Sequence, residues 1–216
     1  MTLLADVQAV YEDADLLVLQ KPAGLLCVPG RGPDKQDCLS ARAQQHWPGA
    51  LIVHRLDQAT SGLVLMARNI EAQRRLSHAF AERHVHKRYQ AVVWGLLAAQ
   101  EDAWNEVNLP IAADWERRPL RVIDPAHGKP SLTRWRLLGH QPANGTSRIE
   151  LEPVTGRTHQ LRVHMAAVGH PILGDALYAP EEVHALAPRL LLHASQLAFA
   201  HPSTGEPLAL EWAADF

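Results

Sequence analysis

VHRLDQATSGLVLMARN, residues 53–69, sets a charged group, His54-Arg55-Leu56-Asp57, between the apolar runs Leu51-Ile52-Val53 and Leu63-Val64-Leu65-Met66. Short apolar runs bounded by turn residues read as strands, so the polar residues form a loop that Thr60-Ser61-Gly62 closes. At the far end Asn69 is an N-cap for a helix over 70–83, which sets Ala72, Leu76, Ala79 and Phe80 on one face. A carboxylate in such a loop has an ordinary use, because Asp commonly bonds its own backbone in turns. Taken alone, Asp57 identifies no chemistry.

Working outward, short apolar runs over 7–11 and 16–19 read as strands, and the Gly- and Pro-rich KPAGLLCVPGRGP that follows reads as an irregular loop. A short helix over 37–47 ends at Pro48. KRYQAVVWG reads as a strand ended by Gly95. Further strands are expected over 131–138, 148–151, 190–199 and 208–212, with Pro202-Ser203-Thr204-Gly205 turning the last two into a hairpin. Residues 158–168 read as a helix with Leu161, Met165 and Val168 inward and Gly169 at its end. Strands outnumber helices without alternating with them, which predicts an α+β fold on a mixed, largely antiparallel sheet with flanking helices. No break in composition marks a second domain, so residues 1–216 read as one.

The chain's 216 residues can bury a sizeable core, and 47% apolar with 20% charged residues is ordinary globular composition. No apolar run is long enough to span a membrane, and MTLLADVQAVYEDAD lacks the basic start of a signal peptide, so a cytoplasmic protein is expected. Cys27 and Cys38 are too few and too far apart for a CxxC pair and read as small packing residues. The net charge of −2 hides a basic middle: Arg74, Arg75, Arg83, Lys87 and Arg88, then Arg117, Arg118, Arg121, Lys129, Arg134 and Arg136. A local field of this kind is able to bind a polyanion, although solvated faces would look the same in the sequence.

GxGxxG, GxxxxGK[ST], GxSxG and HExxH are all absent, which removes the usual signatures of dinucleotide, P-loop, α/β-hydrolase and zincin sites. His159, His164 and His170 are spaced five and six apart, not the i, i+4 of ligands on one helix face, so no metal is expected. Three other stretches change the weight of Asp57. In HKRYQAVVWG, Tyr89 follows a basic pair at the start of a strand, where a ring suits either simple packing or stacking on a nucleobase. In EPVTGRTHQLRVHMAAVGHPILGD, Arg157 stands at the mouth of a helix, placed to pair with a carboxylate. RLLLHASQLAF is an apolar strand interrupted by His193-Ala194-Ser195.

Together these stretches resemble the RluA family of RNA pseudouridine synthases over nearly the whole chain. KPAGLLCVPG looks like the family's N-terminal loop, HRLDQATSG its catalytic motif, KRYQA its tyrosine motif, GRTHQLRVHM its arginine motif, and HPILGD and LLLHA its later motifs. DWERRP and APRLLLHA look like segments of the family's dual-specificity rRNA and tRNA branch, which also lacks a preceding S4 domain. The resemblance implies a central RNA-binding cleft and conversion of uridine to its C5-glycoside, with no cofactor and no metal. It implies Asp57 as the nucleophile, Arg157 as the cation that keeps that carboxylate ionised, and Tyr89 as the residue stacking on the base and relaying the C5 proton. The uridine must be flipped out of its stack. Arg55 then matches the arginine that inserts into the RNA, and Leu192 an apolar residue under the site. Thr60 shapes the loop, while His54, Arg162 and His164 read as structural.

The substrates implied are a tRNA anticodon stem-loop and a large-subunit rRNA loop, handled by a monomer. The alternatives are a non-catalytic RNA-binding module on the same fold and a metal-dependent hydrolase using the histidines. Whether Asp57 attacks C1′ or C6, or abstracts a sugar proton, stays open.

Overall fold

The computed structural model describes residues 7–98 and 103–216. Met1 to Asp6, part of the stretch read for a signal peptide, therefore lie outside it. The first half of the chain forms β1 (Gln8–Glu12), β2 (Leu16–Lys21), α1 (Leu39–His46), β3 (Leu51–Ile52), β4 (Ser61–Ala67), α2 (Ile70–Ala81) and β5 (His86–Trp94). The second half forms β6 (Asn105–Asn108), β7 (Ile111–Ala113), β8 (Arg121–Ile123), β9 (Leu132–Gln141), β10 (Thr146–Pro153), α3 (Gln160–Ala167), α4 (Glu181–His184), β11 (Leu192–Ala200) and β12 (Pro207–Glu211). Every run read as a strand or helix from the sequence is found, within a few residues at its ends. β6, β7, β8 and α4 were not anticipated. Among the described residues no helix is long and apolar enough to cross a membrane.

The chain divides into two compact units, one running up to Lys87 and taking up Ala194–Asp215, the other made of Arg88–His193 with Phe216. In the first unit the strands run in the order β1, β2, β4, β11, with β12 on β11 and β3 on β4. β2 pairs antiparallel with β1 and β4, while Leu26 and Cys38 form a parallel bridge. β4 is buried at every position and reads as a continuous apolar run because both of its faces are covered. Leu16, Val18, Leu63, Leu65, Leu76 and Phe199 fill the core, and α2 presses Ala72, Ala79 and Phe80 against it. Asn69 caps α2 through its side-chain oxygen, which accepts the Ala72 N–H at 2.9 Å.

Gly62 has φ 116°, and a Cβ there would lie 2.3 Å from the Ala194 carbonyl oxygen, so only glycine lets β4 approach β11 this closely. Asp13, Asp15 and His201 converge to within 4.8 Å, a spacing open to a cation. However, the His201 Nδ1 accepts N–H bonds from Ser203 and Thr204, and its Nε2 donates to Asp13 at 2.9 Å. The group is thereby a clasp between the β1–β2 turn and the β11–β12 hairpin.

In the second unit the order is β5, β10, β9, β6, and β7 pairs with β8 as a separate hairpin. α3 packs on β8, β9 and β10. Its start is two residues later than the sequence reading, because His159 takes a left-handed conformation (φ 57°) and caps it. Val168, expected inward, is 39% exposed. α3 ends at Ala167, so Val168 no longer follows the helical period. Cys27 and Cys38 are buried and unpaired, in agreement with a packing role.

Candidate active site

In the first unit the loop carrying Arg55, Asp57 and Thr60 leaves β3 and enters β4. β3 pairs only with Met66 and Ala67. The next N–H on that edge, from Leu65, is accepted by the His54 Nε2 at 2.9 Å, so an imidazole stands where a strand carbonyl would be. His54 also stacks on Phe80, 4.5 Å between centroids. Burial, helped by the nearby Lys87 charge, holds its pKa down to about 3, and a neutral ring is what this acceptor role requires. The chain can then turn out of the sheet without orphaning a buried donor.

The middle of the loop is held from beneath by the KPAGLLC stretch. Leu56 donates its N–H to the Cys27 Sγ at 3.2 Å, and Gly24 and Gln58 bond each other's carbonyl oxygens at 2.9 and 3.0 Å. Lys21 is fully buried at the end of β2. Its ammonium donates to the carbonyl oxygens of Pro22, Leu25 and Gln58 at 2.9, 2.7 and 3.0 Å. Burial lowers its pKa to about 8, and the Cys27 sulfur and the Asp57 carboxylate oppose the shift. A cation thus lies in electrostatic reach of Asp57. Thr60 donates its N–H to the Asp57 carbonyl oxygen at 3.1 Å and closes the turn. The outcome is a half-buried carboxylate at Asp57, beside an exposed Arg55, on a loop fixed at four points.

In the second unit Tyr89 lies half-buried in β5, opposite Leu151 of β10. β10 runs on to the turn that carries Arg157. On the other side of β5, Val92 donates its N–H to the Leu191 carbonyl oxygen at 3.2 Å, and the next residue, Leu192, is buried. Arg157 is exposed, its Nε and Nη2 each 3.4 Å from the Pro130 carbonyl oxygen.

What fixes the Arg157 turn is a buried amide. The Gln160 Oε1 accepts the Arg157 N–H at 3.0 Å and the Thr155 hydroxyl at 2.7 Å, while Nε2 donates to the Leu132 carbonyl oxygen at 2.9 Å and the Thr133 hydroxyl at 3.0 Å. All four bonding directions of the amide are used. Thr133 bonds the His164 Nδ1 at 2.9 Å, and the His164 Nε2 reaches the Leu109 carbonyl oxygen at 2.9 Å. That carbonyl only accepts, so Nε2 carries the proton and Nδ1 receives the Thr133 hydroxyl. Burial lowers the His164 pKa and keeps the ring neutral, as this direction of donation demands.

Arg162, read as structural, is buried in a two-point pair with Asp175 at 2.8 and 2.5 Å. Of the histidines weighed as metal ligands, His159 bonds the Tyr178 hydroxyl at 2.6 Å and His170 the Trp94 carbonyl oxygen at 2.8 Å. Of the supporting groups, Lys21 and Gln160 carry no reading from the sequence, and Cys27 reads there only as a packing residue. A lysine ending the apolar run Leu16-Leu17-Val18-Leu19 was the one legible sign among them.

The fold and these residues define a class. The sequence model of RNA pseudouridylate synthase matches residues 15–167, and the chain belongs to that family. It is 50% identical over 200 residues to the dual-specificity RNA pseudouridine synthase RluA of Pasteurella multocida (strain Pm70), a match covering 93% of this chain and 90% of that protein. Identity to the protein of the same name from Escherichia coli (strain K12) is 45% over 207 residues, 96% of this chain and 93% of that one. Among solved structures, human RNA pseudouridylate synthase domain containing 1 superimposes with a TM-score of 0.81 at 31% identity, over 97% of this chain and 84% of that one. The chain is an RNA pseudouridine synthase, an isomerase acting on uridine within RNA. These likenesses favour catalysis over the non-catalytic binding module.

Proposed function

We propose that the chain isomerises specific uridines in both a tRNA anticodon stem-loop and a large-subunit rRNA loop, with Asp57 as nucleophile. The dual specificity rests on the relatives named above, whose own designation carries it. The observation that carries the role of Asp57 is its loop, which a buried ammonium, an imidazole, a thiol and a closing backbone bond hold in one conformation. A carboxylate so fixed can attack and leave without reorganising its support. Arg157 balances the charge of Asp57 in the working site, Tyr89 stacks on the reacting base and relays its C5 proton, Arg55 enters the RNA stack vacated by the flipped uridine, and Leu192 packs beneath. Residues 1–216 act as one catalytic domain, as a monomer in the cytoplasm, without metal or cofactor.

The test is tritium release from tRNA and rRNA transcripts labelled at uridine C5, with no metal added, beside Asp57→Asn. Release from both RNAs that vanishes in the variant supports the reading. Release from only one RNA overturns dual specificity, and full release by the variant overturns the role of Asp57.

A further inference from the structure

The basic stretch from Trp115 to Arg136 separates on folding into two kinds of cation. Arg134 and Arg136 lie over the Trp104 ring at 4.8 and 5.2 Å and pair with Glu152 and Glu150 at 3.1 and 2.8 Å. Arg117 pairs with Asp114 at 2.7 Å. These charges are already balanced by the protein. Arg118, Arg121 and Lys129 have no carboxylate within ion-pair distance among the described residues. Arg121 and Lys129, with Arg157, line one cavity of about 730 Å³ in the second unit, together with Trp115, Asp124 and His127. Three cations against one carboxylate give its wall a positive charge.

The cavity is built into the fold. A Cβ at Gly128 would lie 2.4 Å from the Asp124 carbonyl oxygen and 2.7 Å from the Pro110 carbonyl carbon, so only glycine lets this turn lie against β7. The Asp124 Oδ1 accepts the N–H groups of Ala126 and His127 at 2.9 and 3.0 Å. Ile111 and Lys129 exchange backbone bonds at 3.0 and 2.9 Å, which fixes the base of the Lys129 side chain while its ammonium stays exposed. At the rim, the Trp115 indole is 71% exposed, and the Arg118 guanidinium sits 4.1 Å from its centroid. One face of the indole is therefore taken, and the other is available for stacking. An indole this exposed contributes little to the core, and beside a cationic wall its shape and charge suit a base and its phosphate. Tyr89, assigned to the reacting base, does not line the cavity, whereas Arg157, assigned to the Asp57 carboxylate, does, so the cavity shares one wall with the residues assigned to the reaction.

We propose that this cavity takes one nucleotide of the substrate RNA other than the uridine to be isomerised, its phosphate against Lys129 and Arg121 and its base on the open face of Trp115. The inference rests on the RNA-isomerising reading above and extends it to a second contact that helps select the RNA. The experiment compares Trp115→Ala, Trp115→Phe and Lys129→Gln with wild type on the same tRNA and rRNA transcripts, measuring Kd across a salt series together with KM and kcat for tritium release. Trp115→Ala is expected to raise Kd and KM about tenfold, the loss falling on KM and not on kcat, and Trp115→Phe to recover most of it. Lys129→Gln is expected to lower the slope of log K against log salt by about one. Thermal melting checks that the exposed substitutions leave the fold intact. Wild-type Kd, KM and salt slope in Trp115→Ala and Lys129→Gln would overturn the inference, as would a loss confined to kcat. If wild type releases no tritium, the isomerase reading fails, and the binding series still decides the cavity.

Discussion

The loop that carries Asp57 and the turn that carries Arg157 are fixed by opposite means. Asp57 stands on a loop whose main support is a charged group, the buried Lys21 ammonium, which needs its proton to satisfy three carbonyl oxygens. Arg157 stands on a turn supported by the neutral Gln160 amide, relayed through Thr133 to a His164 ring that must lack the second proton. One support is a buried cation that titrates on the alkaline side, and the other a neutral ring that titrates on the acid side. Two residues proposed to balance each other's charge are thus held by groups that titrate on opposite sides of neutral pH.

The strongest challenge to this contrast removes the carboxylate itself. Asp57→Asn keeps the backbone bonds to Thr60 and the grip of Lys21 on Gln58, so RNA binding should change little while turnover falls by at least about a thousandfold. A parallel fall in binding would mean that Asp57 shapes the loop instead of reacting.

Next come the two supports. Gln160→Ala takes the acceptor from the Arg157 N–H and the Thr155 hydroxyl and one donor from the Leu132 carbonyl oxygen and the Thr133 hydroxyl, and should cost about 2–4 kcal/mol of unfolding free energy. Lys21→Met takes a donor from three carbonyl oxygens, of which that of Gln58 keeps the Gly24 N–H, and should cost a similar amount at pH 7, so the difference between the supports appears only when pH is varied. Lys21 titrates near 8 in the folded chain against 10.5 for an ordinary lysine, so between these values the unfolded chain binds more protons. Lys21 should therefore contribute about 3 kcal/mol to a rise of stability with pH across that window, and Lys21→Met should remove that share and leave the part due to Lys87, whose pKa burial also lowers. Activity should move the other way, because a neutral amine has two protons for three carbonyls. Gln160→Ala should leave the alkaline rise intact. His164 has a lowered pKa, so its contribution to stability is present above the ordinary histidine value near 6.5 and is lost as pH falls below it. Urea melts from pH 5 to 10.5 on the three proteins read both limbs, and an alkaline rise undiminished in Lys21→Met would break the comparison.

The strands and helices were legible because they are written in local patterns. The run Leu63-Val64-Leu65-Met66, the Asn69 cap and the turn before β12 each carry their own signal within a few residues. The loop of Asp57 was legible for the same reason, as a polar insertion between two apolar runs. The supports were not, since they depend on partners distant in sequence: Lys21 is explained by Gln58, Gln160 by Leu132 and Thr133, and Gly128 by Pro110. β6, β7 and β8 escaped notice because NEVN, IAA and RVI are too short or too polar to show a period and exist through pairing with β9 and with each other. The basic middle misled in a similar way. Its charge count could not separate Arg134 and Arg136, spent on glutamates of the sheet, from Arg121 and Lys129, which face a cavity.

The smallest effect sharpens the contrast most finely. Gln58 contributes to the Asp57 loop twice, through its carbonyl oxygen to Lys21 and through its side-chain amide to the Gly24 carbonyl oxygen at 3.0 Å. Only the second contact depends on the side chain, and that side chain is exposed. Water replaces its bond at little cost, so Gln58→Ala should lower stability by no more than about 1 kcal/mol. The loop's charged support is untouched, so the alkaline rise should keep its full height in this variant. A flattened rise in Gln58→Ala would show that Lys21 holds the loop through the Gln58 side-chain position and not through the carbonyl, and the ammonium would then lose its place as the loop's main support.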